Sequence, residues 1–506
     1  MAVGLVVAVG ALRTLPTGAA IAVAVVAIGA SVAAVTWPVG GRTGDEWAPD
    51  LARHARRVAL GRRWRAPRTP TGSPFQIHGS DTSRNRGRRS AGPRNRGPRS
   101  AGWPSRGPFS TLRILQVESG DERGAVRITQ TGSRRGSGSG TFAAVVHDAA
   151  ERTYTAVIPA SGPGFVLLAS DERDRRVAGW AAALGALARQ GTPVHRVQWV
   201  ARTLPGGPDR PGPDRPATGP ISLHGTTGPA GSPADSPMGS YEELLGISRP
   251  ELERHQVFLA MSVRGGRTNV ALRPAGAQDH ANACAVLLRE LAAFRRRLAE
   301  ADVDTAPALA PRVLASVLRA GFSSSRWSWP DECGTTWPWP VAGEVLWDSL
   351  RLDGTWHATY WVAEWPRTDV AADFLGPLLL AGDVRQTVSV TMEPLSPFEA
   401  QKRVQQARTA DVADSELRRR GGFLHTARRK REEETLAERE LELADGHAPF
   451  KFSGYVTVSS DDRDDLEASC GRVEQAAGRC GMELRRCFGD QQNAFTFSLP
   501  LCRGLA

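Results

Sequence analysis

The stretch FKFSGYVTVSS at 450–460, followed by DDRDDLEASCGRVEQAAGRC at 461–480 and MELRRCF at 482–488, decides the fold class. A strand-forming run, an amphipathic helical run and a second strand-forming run follow one another with short connections. The pattern predicts a strand at 450–459, a helix at 462–480 and strands at 482–488 and 493–499. Alternation of this kind is typical of split βαβ units, so we predict an α+β fold with ferredoxin-like character.

The same alternation extends upstream and predicts one α+β domain over residues 241–505. A helix at 281–300 has an apolar face, and a long charged helix at about 397–443 contains REEETLAERELELA, with many possible i to i+4 ion pairs. The other predicted elements are strands at 255–263, 356–364 and 385–393 and helices at 311–320 and 369–380.

A smaller α/β domain is predicted at 109–203. The runs TYTAVIP at 153–159 and GFVLLAS at 164–170 are strand-like, and 194–203 predicts a further strand. Between them, a helix is predicted at 172–190. Its expected inward face consists of Val177, Trp180, Ala181, Leu184 and Leu187. Residues 204–240 are rich in Pro, Gly and Ser and contain PDRPGPDRP, which indicates a disordered linker.

The N-terminal 41 residues predict a membrane anchor. The run from Thr14 to Gly41 has no charged residue, and a span at about 18–38 has the length that a helix needs to cross a bilayer. Residues 2–12 are also apolar, which leaves open a helical hairpin, a single span with an apolar leader, or a cleaved signal peptide. The segment 42–65 is strongly basic, and such residues favour the cytoplasmic side, so we expect a cytoplasmic body at the cell membrane.

A Gly/Pro/Ser/Arg tract at 66–108 predicts a disordered basic tether, because it holds too little apolar surface to fold. The whole chain has a formal net charge of +11. We expect residues 53–106 to contact anionic lipid headgroups. Nucleic acid is the alternative partner, although the tract has almost no aromatic residues for base stacking.

Eight of the fourteen tryptophans lie between residues 327 and 365. They fit either an aromatic surface that binds sugars or bases, or a buried core and domain interface, and we favour the buried core. The eight are Trp327, Trp329, Trp337, Trp339, Trp347, Trp356, Trp361 and Trp365.

No convincing catalytic or metal centre emerges, so we predict no catalytic, cofactor-binding or metal-binding residues. None of the lysines (Lys402, Lys430 and Lys451) follows a glycine, so a P-loop is absent, and GSRRGSGSG at 132–140 indicates a flexible loop. The spacings HExxH and GxSxG do not occur either. Three scattered histidines near acids are expected to be structural: His357, His425 and His447. The six cysteines are expected to be reduced and partly buried, and they are Cys284, Cys333, Cys470, Cys480, Cys487 and Cys502.

Several segments of the C-terminal half resemble an actinobacterial family of conjugation-associated membrane proteins. These segments are HATYWVAEWPR (357–367), FLGPLLL (374–380), RQTVSVTMEPL (385–395), ERELELADGHAPFKFSGYVTV (438–458) and DQQNAFTFSLPLCRGL (490–505). The last carries the pattern Gln492, Ala494, Phe495, Leu499 and Pro500 before Arg503 and Gly504. At the front, GRTGDEW (41–47) is similar to the family's membrane-to-cytoplasm junction.

That family joins a PrgI-type membrane region to a part similar to the N-terminal domain of CagE/TrbE/VirB-class secretion ATPases. The resemblance implies a non-catalytic, membrane-anchored component of a type IV secretion-like or conjugative apparatus. It implies docking of a separate P-loop ATPase at the cytoplasmic face, beside other membrane components, with no small-molecule substrate. The alternative is a membrane-tethered nucleic-acid-binding protein in DNA transfer. An enzyme built on the Trp cluster with Glu364 and Asp369 is the weakest hypothesis, because nothing in the sequence fixes these two acids as a pair.

Overall fold

The computed structural model describes most of the predicted α+β body. The described residues are 109–119, 126–129, 142–161, 168–189, 191–204, 254–265, 277–323, 338–340, 342–382, 384–395 and 449–505, with short pieces at 51–52, 54–55, 63–65, 398–402, 405–406 and 409.

A short strand, β1 (Arg63–Arg65), precedes the first half of the body. The strands of this half are β2 (Leu112–Ser119), β3 (Val126–Thr129), β4 (Phe142–Asp148), β5 (Thr153–Ser161), β6 (Val194–Leu204), β7 (Arg254–Arg264) and β8 (Asp304–Thr305). Its helices are α1 (Ser170–Gly185), which continues into a 3₁₀ turn at Ala186–Ala188, α2 (Ala277–Glu300) and α3 (Pro311–Phe322).

The second half repeats this arrangement with shorter helices. Its strands are β9 (Ala342–Val345), β10 (Leu350–Leu352), β11 (Thr355–Glu364), β12 (Arg385–Pro394), β13 (Phe450–Ser460) and β14 (Glu483–Arg486). Its helices are α4 (Gly376–Leu379), α5 (Arg463–Arg479) and α6 (Gln491–Phe497).

The two halves share one connectivity. In the first half β7 lies between β5 and β6, and β8 pairs with the outer edge of β5. In the second half β13 lies between β11 and β12, and β14 pairs with the outer edge of β11. All these pairs are antiparallel, so each half is a β–α–β–β–α–β unit whose third strand separates the first two.

One 14-stranded antiparallel sheet contains both halves. They join where β6 pairs with β12, from Gln386 opposite Thr203 to Met392 opposite Val197. The central strand order is β10-β11-β13-β12-β6-β7-β5-β4. Its two ends are equivalent, because β10 pairs with β11 and β4 pairs with β5, and β11 and β5 are the first strands of their units. An approximate twofold therefore relates the halves about the β6–β12 pair.

Alternate side chains of the sheet pack against different layers. On the front face, α1 and α2 cover the first half with a core that includes Ile158, Leu287 and Phe294. The front face of the second half packs against α4 and α5 through a second core that includes Tyr360 and Val456. Burial of these side chains supplies the main driving force, at roughly 25 cal/mol per Å² of apolar surface.

The rear face is covered by α3, α6 and the last residues of the chain. Its core includes Phe109, Leu314, Phe322 and Phe495. Near the centre of the sheet this face is polar, and its Ser, Thr and Gln side chains are buried. Buried polar groups need partners, and the C-terminal residues provide them. Examples are Ser389, whose hydroxyl donates to the Phe497 carbonyl at 2.8 Å, and Thr391, whose hydroxyl donates to the Arg503 carbonyl at 2.8 Å.

The predicted α+β class is confirmed, and most predicted elements lie within one to five residues of their observed bounds. The helix predicted at 281–300 buries Leu287, Leu291, Phe294 and Leu298 as expected, while Leu288 is half-buried. Of the long helix predicted at 397–443, residues 398–402, 405–406 and 409 are helical, and the rest lies outside the described residues.

Four predictions about local structure are wrong. The run at 493–499 is not a strand, because α6 occupies Gln491–Phe497 and buries Gln491, Ala494 and Phe495, a helical spacing. Of the strand predicted at 164–170, residues 168–170 are described and are not a strand, since Ser170 begins α1 with Asp171 and Glu172 in its first turn; residues 164–167 lie outside the described residues.

The helix predicted at 369–380 is only the short α4, because Pro377 suits the first turn of a helix and residues 372–375 form turns before it. The predicted inward face of α1 is also partly wrong. Val177 and Ala181 are exposed, and Ala183 is buried instead.

None of the helices in the described parts of the chain is both long and apolar enough to cross a bilayer. The predicted anchor at 1–41 lies outside the described residues. So do the predicted tether at 66–108 and almost all of the predicted linker at 204–240.

Candidate docking surface

Exposed apolar side chains concentrate in the second half of the body. Three aromatic residues lie at the end where β11 finishes and β13 begins. Trp361 is 37% exposed, Phe452 is 52% exposed, and Phe398, just beyond β12, is 74% exposed. Together they are called the aromatic end here. Trp361 lies on the rear face, opposite Tyr455, whereas Phe452 lies on the front face against Trp365. Exposed aromatic side chains are enriched at protein interaction sites.

A groove of about 810 Å³ adjoins the aromatic end. One wall is the connection from β11 to α4, residues 364–377, and the other is the turn from α5 to β14, residues 479–483. Its apolar lining comes mainly from Trp365, Pro366, Phe374, Pro377 and Met482.

Trp365 links the groove to the aromatic end. Its ring contacts the ring of Phe452 edge to face, with centroids 5.6 Å apart. It also packs closely against the backbone of β13, because a Cβ at Gly454 would come within 2.6 Å of its Cζ2. Glycine at this position is therefore what allows the indole to form one wall of the groove.

The charged residues around the groove are mixed in sign. Glu364 pairs with Arg367, and Glu483 pairs with Arg485 at 2.9 Å. Asp373 lies 3.6 Å from Arg173 of α1, so the rim also contacts the first half of the body. All these groups are solvent-accessible, and such pairs contribute little to stability.

Cys480 forms part of the groove lining and is itself only 4% exposed. Burial raises the pKa of its thiol. The thiol therefore stays protonated at neutral pH and acts as a small apolar group rather than as a nucleophile.

The Trp cluster is divided between the core and the surface. Trp339 is 2% exposed and stacks on Phe109 in the rear core, as predicted for tryptophans that form a buried core. Trp361 and Trp365 instead belong to the aromatic end and the groove. Trp356 is half-buried beneath Arg351 and Arg463, and Trp347 stacks on Phe488. Trp327, Trp329 and Trp337 lie outside the described residues.

His357 is a structural residue, as predicted. It is fully buried, its Nε2 donates to the Phe322 carbonyl at 3.2 Å, and its Nδ1 accepts from the Ser459 hydroxyl at 2.8 Å. Burial, with a smaller effect from the Arg385 charge, lowers the pKa of His357 to about 3. The imidazole is therefore neutral in the folded protein. His425 and His447 lie outside the described residues.

The acids considered as a catalytic pair have separate surroundings. Glu364 lies at the end of β11 in its ion pair with Arg367, whereas Asp369 is exposed in the connection to α4. Within the described residues, no group of three or more His, Cys, Asp or Glu side chains is placed to hold a metal ion. None of the five described cysteines forms a disulfide, four of them are buried, and Cys333 lies outside the described part.

A cluster of histidines and a tyrosine on the first half was missed from the sequence. The ring of His147 stacks on Tyr154 at 4.7 Å and meets His280 at 4.8 Å, while the Tyr154 hydroxyl lies 2.7 Å from His280 Nδ1. Burial, followed by the charge of His280, lowers the pKa of His147 to about 4. These residues come from β4, β5 and α2, so only the folded chain brings them together.

Comparison with known proteins adds no family assignment. No protein family model matches the chain. No curated protein matches it either.

Proposed function

We propose that this protein is a membrane-anchored docking component of a type IV secretion-like or conjugative apparatus. Its α+β body would lie at the cytoplasmic face and bind a separate P-loop ATPase. The body would contribute binding surface, and the partner would hydrolyse the nucleotide. The resemblance of the C-terminal half to the N-terminal domain of secretion ATPases motivates this choice of partner.

The observation that carries the proposal is the aromatic end. Trp361, Phe398 and Phe452 are all exposed. Trp361 lies on the rear face near the end of β11, Phe452 lies on the front face near the start of β13, and Phe398 follows the end of β12, which pairs with the start of β13. Aromatic residues are enriched at the centres of protein interfaces, where each buries a large area. Exposing three of them costs solvation free energy in the isolated protein, and a docked partner would recover that free energy.

The charge distribution supports the membrane orientation. Residues 53–106 contain fifteen arginines and one acid, Asp81, for a net charge of +14, although the whole chain has only +11. The remainder of the chain is therefore net negative by about three charges. Such a division suits a basic segment against anionic headgroups and an acidic body held away from them.

Affinity purification from membranes solubilised in mild detergent tests the proposal. The protein should recover a P-loop ATPase, identified by mass spectrometry. The variant with Trp361→Ala and Phe452→Ala should recover at least about tenfold less, as expected when two aromatic anchors are lost. Equal recovery by both forms would place the partner elsewhere, and no ATPase with either form would count against the proposal.

The net charge of +14 in residues 53–106 also favours a second candidate function, binding of DNA during transfer. Such binding would weaken steeply with salt, because each phosphate contact releases a counterion. A chain lacking residues 66–108 should then lose affinity for duplex DNA. Unchanged affinity, or no affinity in the intact chain, would exclude this function.

A further inference from the structure

The groove beside the aromatic end has the lining that proline-rich peptides bind. Two aromatic rings, Trp365 and Phe374, and two prolines, Pro366 and Pro377, face an open trough. Proline-rich segments in the polyproline II conformation dock on aromatic-lined surfaces of this kind, because their backbone is already extended and loses little entropy on binding.

The chain itself holds such a segment. Residues 204–219 read LPGGPDRPGPDRPATG and contain two Pro-Asp-Arg-Pro repeats, Pro208 to Pro211 and Pro213 to Pro216, each of the Pro-x-x-Pro type. Proline fixes φ near −65°, which favours the polyproline II conformation in sequence of this composition.

The segment starts beside the groove. It leaves the sheet at the end of β6, where the Thr203 hydroxyl donates to the carbonyl of Leu379 at 3.2 Å. Leu379 ends α4, and Pro377 of the same helix lines the groove. An extended chain covers about 3.3 Å per residue, so the four residues after Leu204 carry Pro208 roughly 13 Å, far enough to reach along α4.

The charges also match. Each repeat carries an Asp-Arg pair, and the groove rim carries both signs. Arg479 is exposed on this rim and makes no ion pair with any described residue, so it can receive Asp209 or Asp214. The acids Glu364 and Glu483 line the same groove, and on binding they would accept the arginines of the repeats in exchange with their present partners.

We propose that the groove is a binding site for proline-rich peptide and that the Pro-Asp-Arg-Pro repeats of this same chain occupy it. The segment is tethered beside the groove, so its effective concentration is of the order of millimolar, and a weak intrinsic affinity suffices for occupancy. Because Trp365 contacts Phe452, the bound segment borders the aromatic end. If the proposed function is correct, occupancy regulates docking of the partner; the binding itself does not depend on that function.

Fluorescence anisotropy of a labelled peptide with the sequence of residues 204–219 tests the proposal. The receptor is the full chain in detergent, either unchanged or with Pro208, Pro211, Pro213 and Pro216 replaced by alanine to vacate the groove. The vacated chain should bind the peptide at least about tenfold more tightly, since the peptide no longer competes with a tethered copy. Equal affinity, or no binding to the vacated chain, would overturn the proposal.

Val370→Asp in the vacated chain places a charge on the groove wall and should weaken peptide binding at least about fivefold. Val177→Asp is the matched control, because Val177 is 44% exposed on α1 and Val370 is 45% exposed, so neither change should affect folding. An equal effect of both changes would overturn the groove as the site. Concentration-dependent dimers of the unchanged chain that vanish in the vacated chain would assign the segment to a second copy and overturn binding within one chain.

The peptide experiment contains no ATPase. Its failure would leave the docking proposal standing, and failure to recover an ATPase would leave peptide binding standing.

Discussion

The side-chain oxygen of Gln198 accepts a hydrogen bond of 2.7 Å from the amide of Cys502, a residue 304 positions later in the chain. The same oxygen accepts from the amide of Leu501 at 3.0 Å, and the Gln198 side-chain nitrogen donates to the Phe497 carbonyl at 2.7 Å. Gln198 lies on β6, at the junction of the two halves. One fully buried amide thus binds the C-terminal residues across the centre of the sheet.

Replacing Gln198 by leucine should therefore destabilise the fold. The Cys502 amide would lose its partner, whereas the Leu501 amide keeps the Leu499 carbonyl and the Phe497 carbonyl keeps the Ser389 hydroxyl. An unsatisfied buried group costs about 1–3 kcal/mol, so we expect the free energy of unfolding, measured by denaturant titration, to fall by about that amount. Gln475→Leu, at an exposed position of α5, should change it by less than about 0.5 kcal/mol. Similar losses for the two variants would contradict this role for Gln198.

A second tie between the C-terminal residues and the first half is the buried pair of Arg503 and Asp148. The Arg503 Nε donates to Asp148 Oδ2 at 3.0 Å, and both residues are less than 9% exposed. Burial would raise the pKa of Asp148, but the Arg503 charge and hydrogen bonds from Arg503, Thr111 and the Ala150 amide hold it below its ordinary value.

Arg503→Met leaves the Asp148 carboxylate buried without its charge partner and should cost about 3–5 kcal/mol of unfolding free energy. The matched change Arg463→Met removes an exposed pair with Asp348 at 3.2 Å and should cost about 1 kcal/mol or less. Denaturant titration of both variants measures the difference. Equal costs would mean that the Arg503 pair contributes no more than a surface ion pair.

Two glycines in the second half should respond to alanine in opposite directions. At Gly454 a Cβ would come within 2.6 Å of Trp365, so Gly454→Ala should destabilise by about 1–3 kcal/mol. At Gly471, inside α5, a Cβ meets nothing within 4 Å, and Gly471→Ala should stabilise the helix by about 0.5–1 kcal/mol. Thermal midpoints measured at one protein concentration test this, and shifts of the same sign would contradict the packing of Trp365 on β13.

Acid should destabilise the protein partly through His357. Its pKa is lowered from 6.5 to about 3 in the folded state, so the unfolded chain takes up a proton first as the pH falls. Stability is therefore fully retained above about pH 6.5 and is lost progressively between there and about pH 3. At pH 5 the loss from this residue is about 2 kcal/mol.

His147 and His195, whose pKa values are both lowered to about 4, chiefly by burial, titrate over the same range. The diagnostic quantity is therefore a difference between variants. Unfolding free energies at pH 7.5 and pH 5 should differ by about 2 kcal/mol less in His357→Asn than in the unchanged chain. Parallel pH curves for the two proteins would show that His357 is not buried as a neutral imidazole.

Local periodicity predicted much of the sheet and its helices. In long apolar strands such as β7 and in the amphipathic α2, the spacing of apolar residues is recognisable from a few neighbouring positions. The sequence alone therefore locates these elements. The failure at 493–499 has a different origin. Phe495, Phe497 and Leu499 alternate as in a strand, but the buried residues of α6 include Gln491, Ala494 and Phe495, which have the i, i+3, i+4 spacing of a helix, and Phe495 packs in the rear core. Only packing against the rear face of the sheet decides between the strand spacing and the helical spacing.

The candidate docking surface was not predictable in the same way. Among the described members of the Trp cluster only Trp339 is buried, and no local feature of the sequence separates it from Trp361 and Trp365. The position of Trp365 depends on distant residues, Gly454 and Phe452, and that of Trp361 on Ser453, and these residues are brought close only through the pairing of β11 with β13. The polar rear face likewise depends on contacts between residues hundreds of positions apart.

The central claim is that the aromatic end binds a separate ATPase, and recovery of that ATPase by matched variants tests it most directly. Phe398→Ala at the aromatic end and Val177→Ala on α1 each remove an exposed apolar side chain, 74% and 44% exposed. After affinity purification from solubilised membranes, Phe398→Ala should recover several-fold less P-loop ATPase, whereas Val177→Ala should match the unchanged protein. Equal ATPase recovery by all three proteins, or ATP hydrolysis by the purified chain alone, would contradict the account.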